Sequence, residues 1–445
     1  MSGSSAATDR HGDATARWVV PVLVVLAAVL LVSFHVRAYT QVGPVDEMQH
    51  IGYLYEVPGV VVSGDVVGQD TLAEVACRGI DAAVTPPACG ARPYLPAQFP
   101  EAGLNTAYIH PPTYYALTRL GAMTVAGLTP VDNVVTAGRL TGAAWLGLGL
   151  LLAYAAGRRL GAGPLQLLGP LLLAAATPAL LMPAATVNPD SASFAVGALC
   201  LLLVVMWTQG TGRARWWLLV AAGVAAEVIK LQNLVVLLAL ALFLLLPAVL
   251  APAGADGRWA ALRTRVLACV VLGAPAVAVA LGWTAAIRVL AVVPPDDIPM
   301  SSRFLVDALT VDNFAVHLGS FLAPLANPYT PPPLAGALTG SLVVVTSGLV
   351  VAGLTASALF EAGSTSRALG LATLVVGLVG APFLVLLNFL AQGQFINIPN
   401  RYALTLVPLM VVLLALRLTP RWSAAGVAAL GGVTVLAACT QLAVL

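Results

Sequence analysis

The sequence predicts an all-α polytopic membrane protein, a bundle of about 11 transmembrane helices with amphipathic juxtamembrane helices in a long first extracytoplasmic loop. Three observations predict it. Hydrophobic residues make up 59% of the chain and charged residues 9%, with a mean hydropathy of +0.93, whereas a soluble domain carries roughly 25% charged residues. Apolar runs long enough to cross a bilayer recur from Trp18 to the C-terminus. Arginines gather in alternate loops, the bias that holds short loops in the cytoplasm. A water-soluble surface cannot be built from this composition, and nothing in it points to nucleic acid as a partner. The net charge of +2 is uninformative; its distribution along the chain is not.

The N-terminal segment, residues 1–17, is small and polar and reads as disordered and cytoplasmic. The apolar run after it is too long for a signal-peptide core and has no small-residue cleavage site followed by a soluble domain, so it is expected to remain as the first helix. A span needs about 20 apolar residues at 1.5 Å each. Such stretches fall near 18–36, 134–157, 164–184, 191–208, 215–230, 232–250, 266–289, 337–359, 368–391, 401–416 and 423–443. Arg10, Arg17, Arg158, Arg159, Arg213, Arg215, Arg258, Arg263, Arg265, Arg367, Arg417 and Arg421 then share one side, the cytoplasm.

Two assignments follow from that parity. The stretch 218–250 is too long for one span and must turn near Lys230, Gln232 and Asn233. The run 113–128 makes only about 24 Å of helix, carries Arg119 midway, and would invert every later loop if it crossed, so it lies in the outer interface. Residues 18–445 thus form a single transmembrane domain. Its extracytoplasmic parts are a first loop (37–133), a short one around Asn188 and Asp190, the Lys230 turn, a second long loop (291–334) and a short one at 395–400. No internal repeat is evident, which argues against an inverted-repeat transporter. Lys230 is the only lysine, and Ala, Val, Leu and Gly dominate, hinting at a high-GC bacterial genome and a bacterial plasma (inner) membrane.

Cys200, Cys269 and Cys439 sit in apolar runs as small core residues. Cys77 and Cys89 lie in the first long loop and can close a short disulfide if that loop faces an oxidising space. Just after the first span, Pro44 can start a helix whose positive end suits Asp46 and Glu47, with His50 four residues on from Asp46 and Ile51, Leu54 and Tyr55 forming an apolar stripe. A capped juxtamembrane helix is the plainer reading. Asp190 opens a helix after Asn188-Pro189, as a cap or as something more. Lys230 has Glu227 three residues before it, a sensible internal ion pair; the lysine either snorkels to the headgroups or holds a lipid phosphate. Arg401-Tyr402 begins a late span and is either an interfacial anchor or a phosphate grip, since a guanidinium can hold two phosphate oxygens at once. Asp296, Asp297, Arg303, Asp307, Asp312 and His317 populate the second loop, read as a solvated cover over the mouth of a site. Their spacing matches no calcium or zinc loop, so a divalent metal is left open and no other cofactor is implied. No phosphate-binding Gly-rich loop or serine elbow is present.

The acidic pair Asp46-Glu47 directly after the first span, the His110-Pro111-Pro112-Thr113-Tyr114-Tyr115 element before the second, Gly138-Arg139-Leu140, Asn188-Pro189-Asp190 and the late Arg401-Tyr402 resemble the GT-C glycosyltransferases. That group contains protein mannosyltransferases and bacterial arabinosyl- and aminoarabinosyltransferases. Within it, the pattern Pro44-x-Asp46-Glu47-x-x-His50 with a late Arg-Tyr is most similar to a set of bacterial membrane proteins grouped as a domain of unknown function. The resemblance implies a GT-C-like bundle and an inverting membrane glycosyltransferase that moves a sugar from a polyprenyl-phosphate donor to an acceptor hydroxyl outside the cytoplasm. It implies Asp46 as general base with Glu47 beside it, His50, His110, Tyr114 and Asp190 toward the acceptor, and Lys230, Arg401 and Tyr402 toward the donor phosphate. The acceptor would be a cell-envelope glycan, lipid or protein. Larger GT-C enzymes carry a C-terminal soluble domain; without one here, recognition falls to the two long loops, which favours a small or lipid-borne acceptor. Two other classes stay open: a lipid-linked sugar flippase or transporter, which should place polar residues at mid-membrane, and a non-catalytic cell-envelope assembly protein, which would tolerate loss of Asp46 and Arg401.

Overall fold

The computed structural model describes residues 5–80, 84–250, 258–298, 304–326, 336–361 and 365–444. Among these the chain is helical and no strand forms; its isolated β-bridges join loops. The helices are α1 (Ser5–Ala38), α2 (Glu47–Glu56), α3 (Gln69–Arg78), α4 (Thr113–Leu128), α5 (Val134–Arg159), α6 (Pro164–Ala175), α7 (Pro178–Ala184), α8 (Asp190–Gln209), α9 (Trp216–Ile229), α10 (Leu234–Val249) and α11 (Arg258–Leu290). They continue with α12 (Val311–Ala315), α13 (Ala337–Leu359), α14 (Thr365–Gln392), α15 (Val407–Arg417) and α16 (Arg421–Ala443).

Nine helical segments among the described residues are long and apolar enough to cross a membrane, or ten if the bent pair α6–α7 counts as one span. Every expected span coincides with a helix, but two are not straight crossings. The expected span 164–184 is bent by 68°, because Thr177 is extended and Pro178, lacking an N–H, starts a new helix rather than continuing the old one. The expected span 215–230 is a helix of 14 residues, about 21 Å against the roughly 30 Å of a hydrocarbon core. It stops where Lys230 adopts an extended backbone, φ −164° and ψ 127°. Helical backbone also runs back to Ser5 through the polar segment expected to be unordered; that segment is alanine-containing and free of proline, so little stops the spanning helix from extending. The outer faces of the helices present apolar side chains such as Leu26, Val270, Leu281, Val344 and Leu436, the surface a bilayer solvates and water does not.

The helices meet closely where small residues allow it. A Cβ on Gly142 of α5 would lie 1.6 Å from the Ala184 carbonyl oxygen, and one on Gly197 of α8 would lie 2.0 Å from that of Thr405. Only glycine permits these approaches. The first draws the turn 186–189 onto α5; the second draws the 3-10 segment Asn400–Leu406 onto α8, setting Arg401 beside the start of that helix.

At the same end of the bundle the two long loops dock on each other. The Ser63 carbonyl accepts from the Val292 and Val293 amides, and the Ser63 hydroxyl donates to the Val293 carbonyl at 2.7 Å. The Phe395 amide donates to the Phe304 carbonyl and the Val306 amide to that of Gly393. Arg303 and the stretch 327–333 of the second loop lie outside the described residues. Helix α4, expected in the interface, packs along α5 and shows Leu117, Leu120, Met123 and Leu128 on its exposed face.

Candidate active site

The acidic pair after α1 is split by the backbone. Asp46 has φ +54°, in the left-handed region, so its side chain and that of Glu47 leave in different directions. Glu47, 1% exposed, turns inward to Arg139, 0% exposed. Arg139 Nε donates to Glu47 Oε1 at 2.8 Å and a terminal nitrogen to Oε2 at 2.7 Å. The Val187 amide donates to Oε1 at 2.8 Å and the Gly43 amide to Oε2 at 2.6 Å. Four donors fill the lone-pair directions of this carboxylate. Arg139 also donates to the carbonyls of Tyr39 and Gln41 at 2.9 and 2.6 Å. Glu47 therefore ties α2, α5, the loop after α1 and the 186–189 turn together, and its carboxylate is turned away from the cavity that Asp46 faces. Sequence reading had placed it beside Asp46 as a catalytic group; spacing could not reveal the left-handed residue that separates them.

Asp46 opens into a cavity of about 380 Å³, within the range of small-molecule sites. Its carboxyl stays accessible from that cavity, with the side chain 59% exposed, while the surrounding protein displaces bulk water. Burial raises its pKa, and the nearby Arg401 charge opposes the rise. The cavity brings together residues from across the sequence: Asp46, His50, His110, Asp190, Lys230, Arg401 and Tyr402 all line it.

Asp190 lies at the first position of α8 and is 3% exposed. Its Oδ1 meets Lys230 Nζ, and its Oδ2 is 3.2 Å from Arg401 Nε. The Asn188 side-chain oxygen accepts from the Asp190 amide at 2.9 Å, so Asn188 takes the helix start and leaves the aspartate for the cations. Arg401 reaches on to Asp46 Oδ2 at 3.7 Å. Lys230 Nζ stands 4.5 Å from the centre of the Tyr402 ring, a cation–π distance. The expected Glu227–Lys230 pair does not form: the extended backbone at residue 230 takes Lys230 out of the helical register, and Glu227 Oε1 is buried with no hydrogen-bond partner.

The remaining wall is aromatic. His50 Nδ1 is 2.8 Å from the Tyr115 hydroxyl, Tyr115 stacks on Tyr53 with ring centres 4.0 Å apart, and His110 lies 5.6 Å from His50. Burial holds the His50 pKa down at about 3 and that of His110 well below the ordinary value, with the Lys230 charge adding to both. Both rings are accordingly neutral near pH 7, able to donate from one nitrogen and accept at the other. His110 Nδ1 is buried with no hydrogen-bond partner. Tyr114 stands behind this wall: its hydroxyl takes the Asn188 amide at 3.1 Å and the Ser191 hydroxyl at 3.2 Å, which makes it a brace for the 188–191 turn and not a lining group.

Sequence reading missed the amides that complete the cavity, Gln232, Asn388, Gln392 and Gln394. Asn388 and Gln392 are four residues apart near the end of α14, and a pair of amides at that helical spacing closing an apolar run was the available signal. Ile298 and Phe304 of the second loop also line the cavity, so that loop does cover it. Cys77 and Cys89 are joined as a disulfide beside α3. Among the described residues no three His, Cys, Asp or Glu side chains gather as metal ligands.

No family model and no curated protein matches the chain. Among solved structures it is similar to ArnT from Cupriavidus metallidurans in the apo state, at 18% identity over 92% of this chain and 61% of that one, with a TM-score of 0.49. The same protein bound to undecaprenyl phosphate matches at 18% identity over 90% and 60%, with a TM-score of 0.48. The archaeal oligosaccharyltransferase AglB from Archaeoglobus fulgidus, in complex with an inhibitory peptide and a dolichol-phosphate, matches at 14% identity over 96% and 55%, with a TM-score of 0.46. The chain thus spans about three fifths of the length of the ArnT structures.

Proposed function

We propose that this membrane protein is a glycosyltransferase that moves a sugar from a polyprenyl-phosphate donor to an acceptor hydroxyl, with inversion, on the extracytoplasmic face of a bacterial plasma membrane. The observation that carries the reading is the single cavity in which the accessible carboxylate of Asp46 faces the cations Lys230 and Arg401. Glycosyl transfer from a lipid phosphate needs both halves of that arrangement. A base must take the proton from the acceptor oxygen as it attacks the anomeric carbon, and positive charge must receive the phosphate oxygen as the carbon–oxygen bond breaks.

Asp46 is the base, and burial of its surroundings favours the proton it has to accept. Lys230 and Arg401 stabilise the departing lipid phosphate, which leaves with the bonding electron pair. Attack and departure use opposite faces of the sugar, hence inversion. His50 and His110, neutral and hydrogen-bonding, position the acceptor, while Gln232, Asn388 and Gln392 offer uncharged donors and acceptors to sugar hydroxyls. Glu47 serves through Asp46: its clamp on Arg139 fixes the backbone that aims the base. The Cys77–Cys89 disulfide sits at the same end of the molecule and favours an oxidising, extracytoplasmic setting for that end.

The test compares the cell-envelope glycans of strains with and without the gene by mass spectrometry, then asks whether Asp46→Asn restores the missing product. Loss of one glycan on deletion, with no recovery by the variant at normal membrane abundance, is expected. Full recovery by Asp46→Asn removes Asp46 as the base; an unchanged glycan profile on deletion removes the reading.

A further inference from the structure

Opposite charges face each other across the cavity. Among the described residues its charged lining consists of two carboxylates, Asp46 and Asp190, and two cations, Lys230 and Arg401. His50 and His110 are neutral, and Glu101, close enough to act on Asp46 but outside the lining, adds negative charge. Asp190 is the carboxylate that both cations touch, with one oxygen on each, and it is nearly inaccessible to solvent. Any phosphate drawn to Lys230 and Arg401 must therefore share them with Asp190.

Resting on the donor reading above, we propose that Asp190 is a positioning residue that restricts the site to a singly charged phosphate and expels a doubly charged one. Attraction to Lys230 and Arg401 and repulsion from Asp190 both grow in proportion to the ligand's charge, and Asp190 takes away part of what the two cations offer each charge. The desolvation penalty grows as the square of that charge. A phosphodiester, carrying one negative charge, is the form in which a lipid-phosphate sugar enters. Transfer converts it to a phosphate monoester whose second proton comes off near pH 6. The product thus acquires a second charge that the donor never had, and Asp190, fixed between the two cations, makes that charge costly. Product release follows from the chemistry itself, and diphosphate-linked donors are disfavoured for the same reason.

The groups facing Asp190 set the background against which this is measured. They are Asp46 before α2, His50 on α2, His110 before α4, Lys230 before α10, and Arg401 and Tyr402 of the 400–406 segment. At any one pH both ligands meet the same set of protein charges, so the difference between them reads the ligand's second charge.

The experiment measures binding of farnesyl phosphate and of its methyl ester to the full chain in lipid nanodiscs from pH 5.5 to 8, with farnesol as the uncharged control. For the unaltered protein, monoester affinity is expected to fall about tenfold or more relative to the diester as pH rises, the size of a like-charge effect of one pKa unit. In Asp190→Asn the monoester is expected to bind about tenfold tighter at pH 8 and the pH-dependent difference to shrink, since one opposing carboxylate is gone. Equal affinity for the two esters at pH 8 in the unaltered protein overturns the inference, as does loss of both ligands together in a folded Asp190→Asn, which is what a merely structural role would give. Should that variant not fold, the comparison of esters in the unaltered protein decides alone. If neither ester binds better than farnesol, and Arg401→Gln changes nothing, the donor reading itself falls; if both esters bind through Arg401 without regard to charge, only the role of Asp190 falls.

Discussion

Glu47 and Arg139, 92 positions apart, form a buried two-pronged ion pair at 2.8 and 2.7 Å, and the glutamate spends its two remaining acceptor directions on the Val187 and Gly43 amides. This contact fixes where the neighbouring Asp46 points. Removing either partner strands a charge in the interior, which costs roughly 3–5 kcal/mol. Arg139→Met and Glu47→Gln should each lower the thermal unfolding midpoint of the purified protein, the former more, because the orphaned carboxylate has no cation left. A variant with an unchanged midpoint means the pair contributes nothing to the fold.

Asp46 should behave in the opposite way. It is accessible and makes no comparable anchor, so Asp46→Asn is expected to leave the unfolding midpoint within about 1 kcal/mol of the original. Its transfer rate should drop by about 10²–10⁴, the usual contribution of a general base. The pH dependence has a definite sign. A general base works only when deprotonated, so kcat/KM is expected to fall as pH drops through the Asp46 pKa, which burial raises above the ordinary carboxylate value. His50, held down at about 3, contributes no limb near neutrality. A profile flat from pH 4 to pH 7 excludes Asp46 as the titrating group.

How much of this was legible depends on which physical rule fixes each feature. Span positions followed from apolar run length, because the bilayer demands it, and the turn at Lys230 followed from a run too long for one crossing. The 68° bend at Pro178 was hidden, since hydropathy does not register a missing N–H. The convergence of Asp46, His110, Asp190, Lys230 and Arg401 was expected only through resemblance; periodicity says nothing about groups on different helices. Glu47 and Asp46 looked equivalent because the left-handed φ at Asp46 leaves no mark on residue spacing. The Lys230 partner was misread for a related cause: helical spacing to Glu227 assumes a helix that has already ended.

Arg401 offers a test of geometry rather than charge. Its Nε meets Asp190 and a terminal nitrogen approaches Asp46, a reach across two carboxylates that suits a planar fork and not a point charge. Arg401→Lys should therefore retain the positive charge yet lose at least about tenfold in kcat/KM, because a single ammonium cannot meet Asp190 and approach Asp46 at the same time. Arg401→Gln should lose more. Equal activity of the lysine variant and the original shows that charge alone is required.

Glu227 separates the observed pairing from the one that spacing implied. Lys230 is engaged by Asp190 and lies over Tyr402, whereas Glu227 Oε1 is buried without a hydrogen bond. Burying an uncompensated polar oxygen costs about 1–3 kcal/mol, so Glu227→Met, similar in volume and apolar, should leave the protein equally stable or raise its unfolding midpoint while transfer activity persists. Lys230→Met should abolish transfer, and it should destabilise the chain as well, since Asp190 would keep only Arg401 as a neutralising neighbour. If Glu227→Met instead reproduces the Lys230→Met phenotype, the lysine is held by the helix it follows and the Asp190 pairing is not the working one.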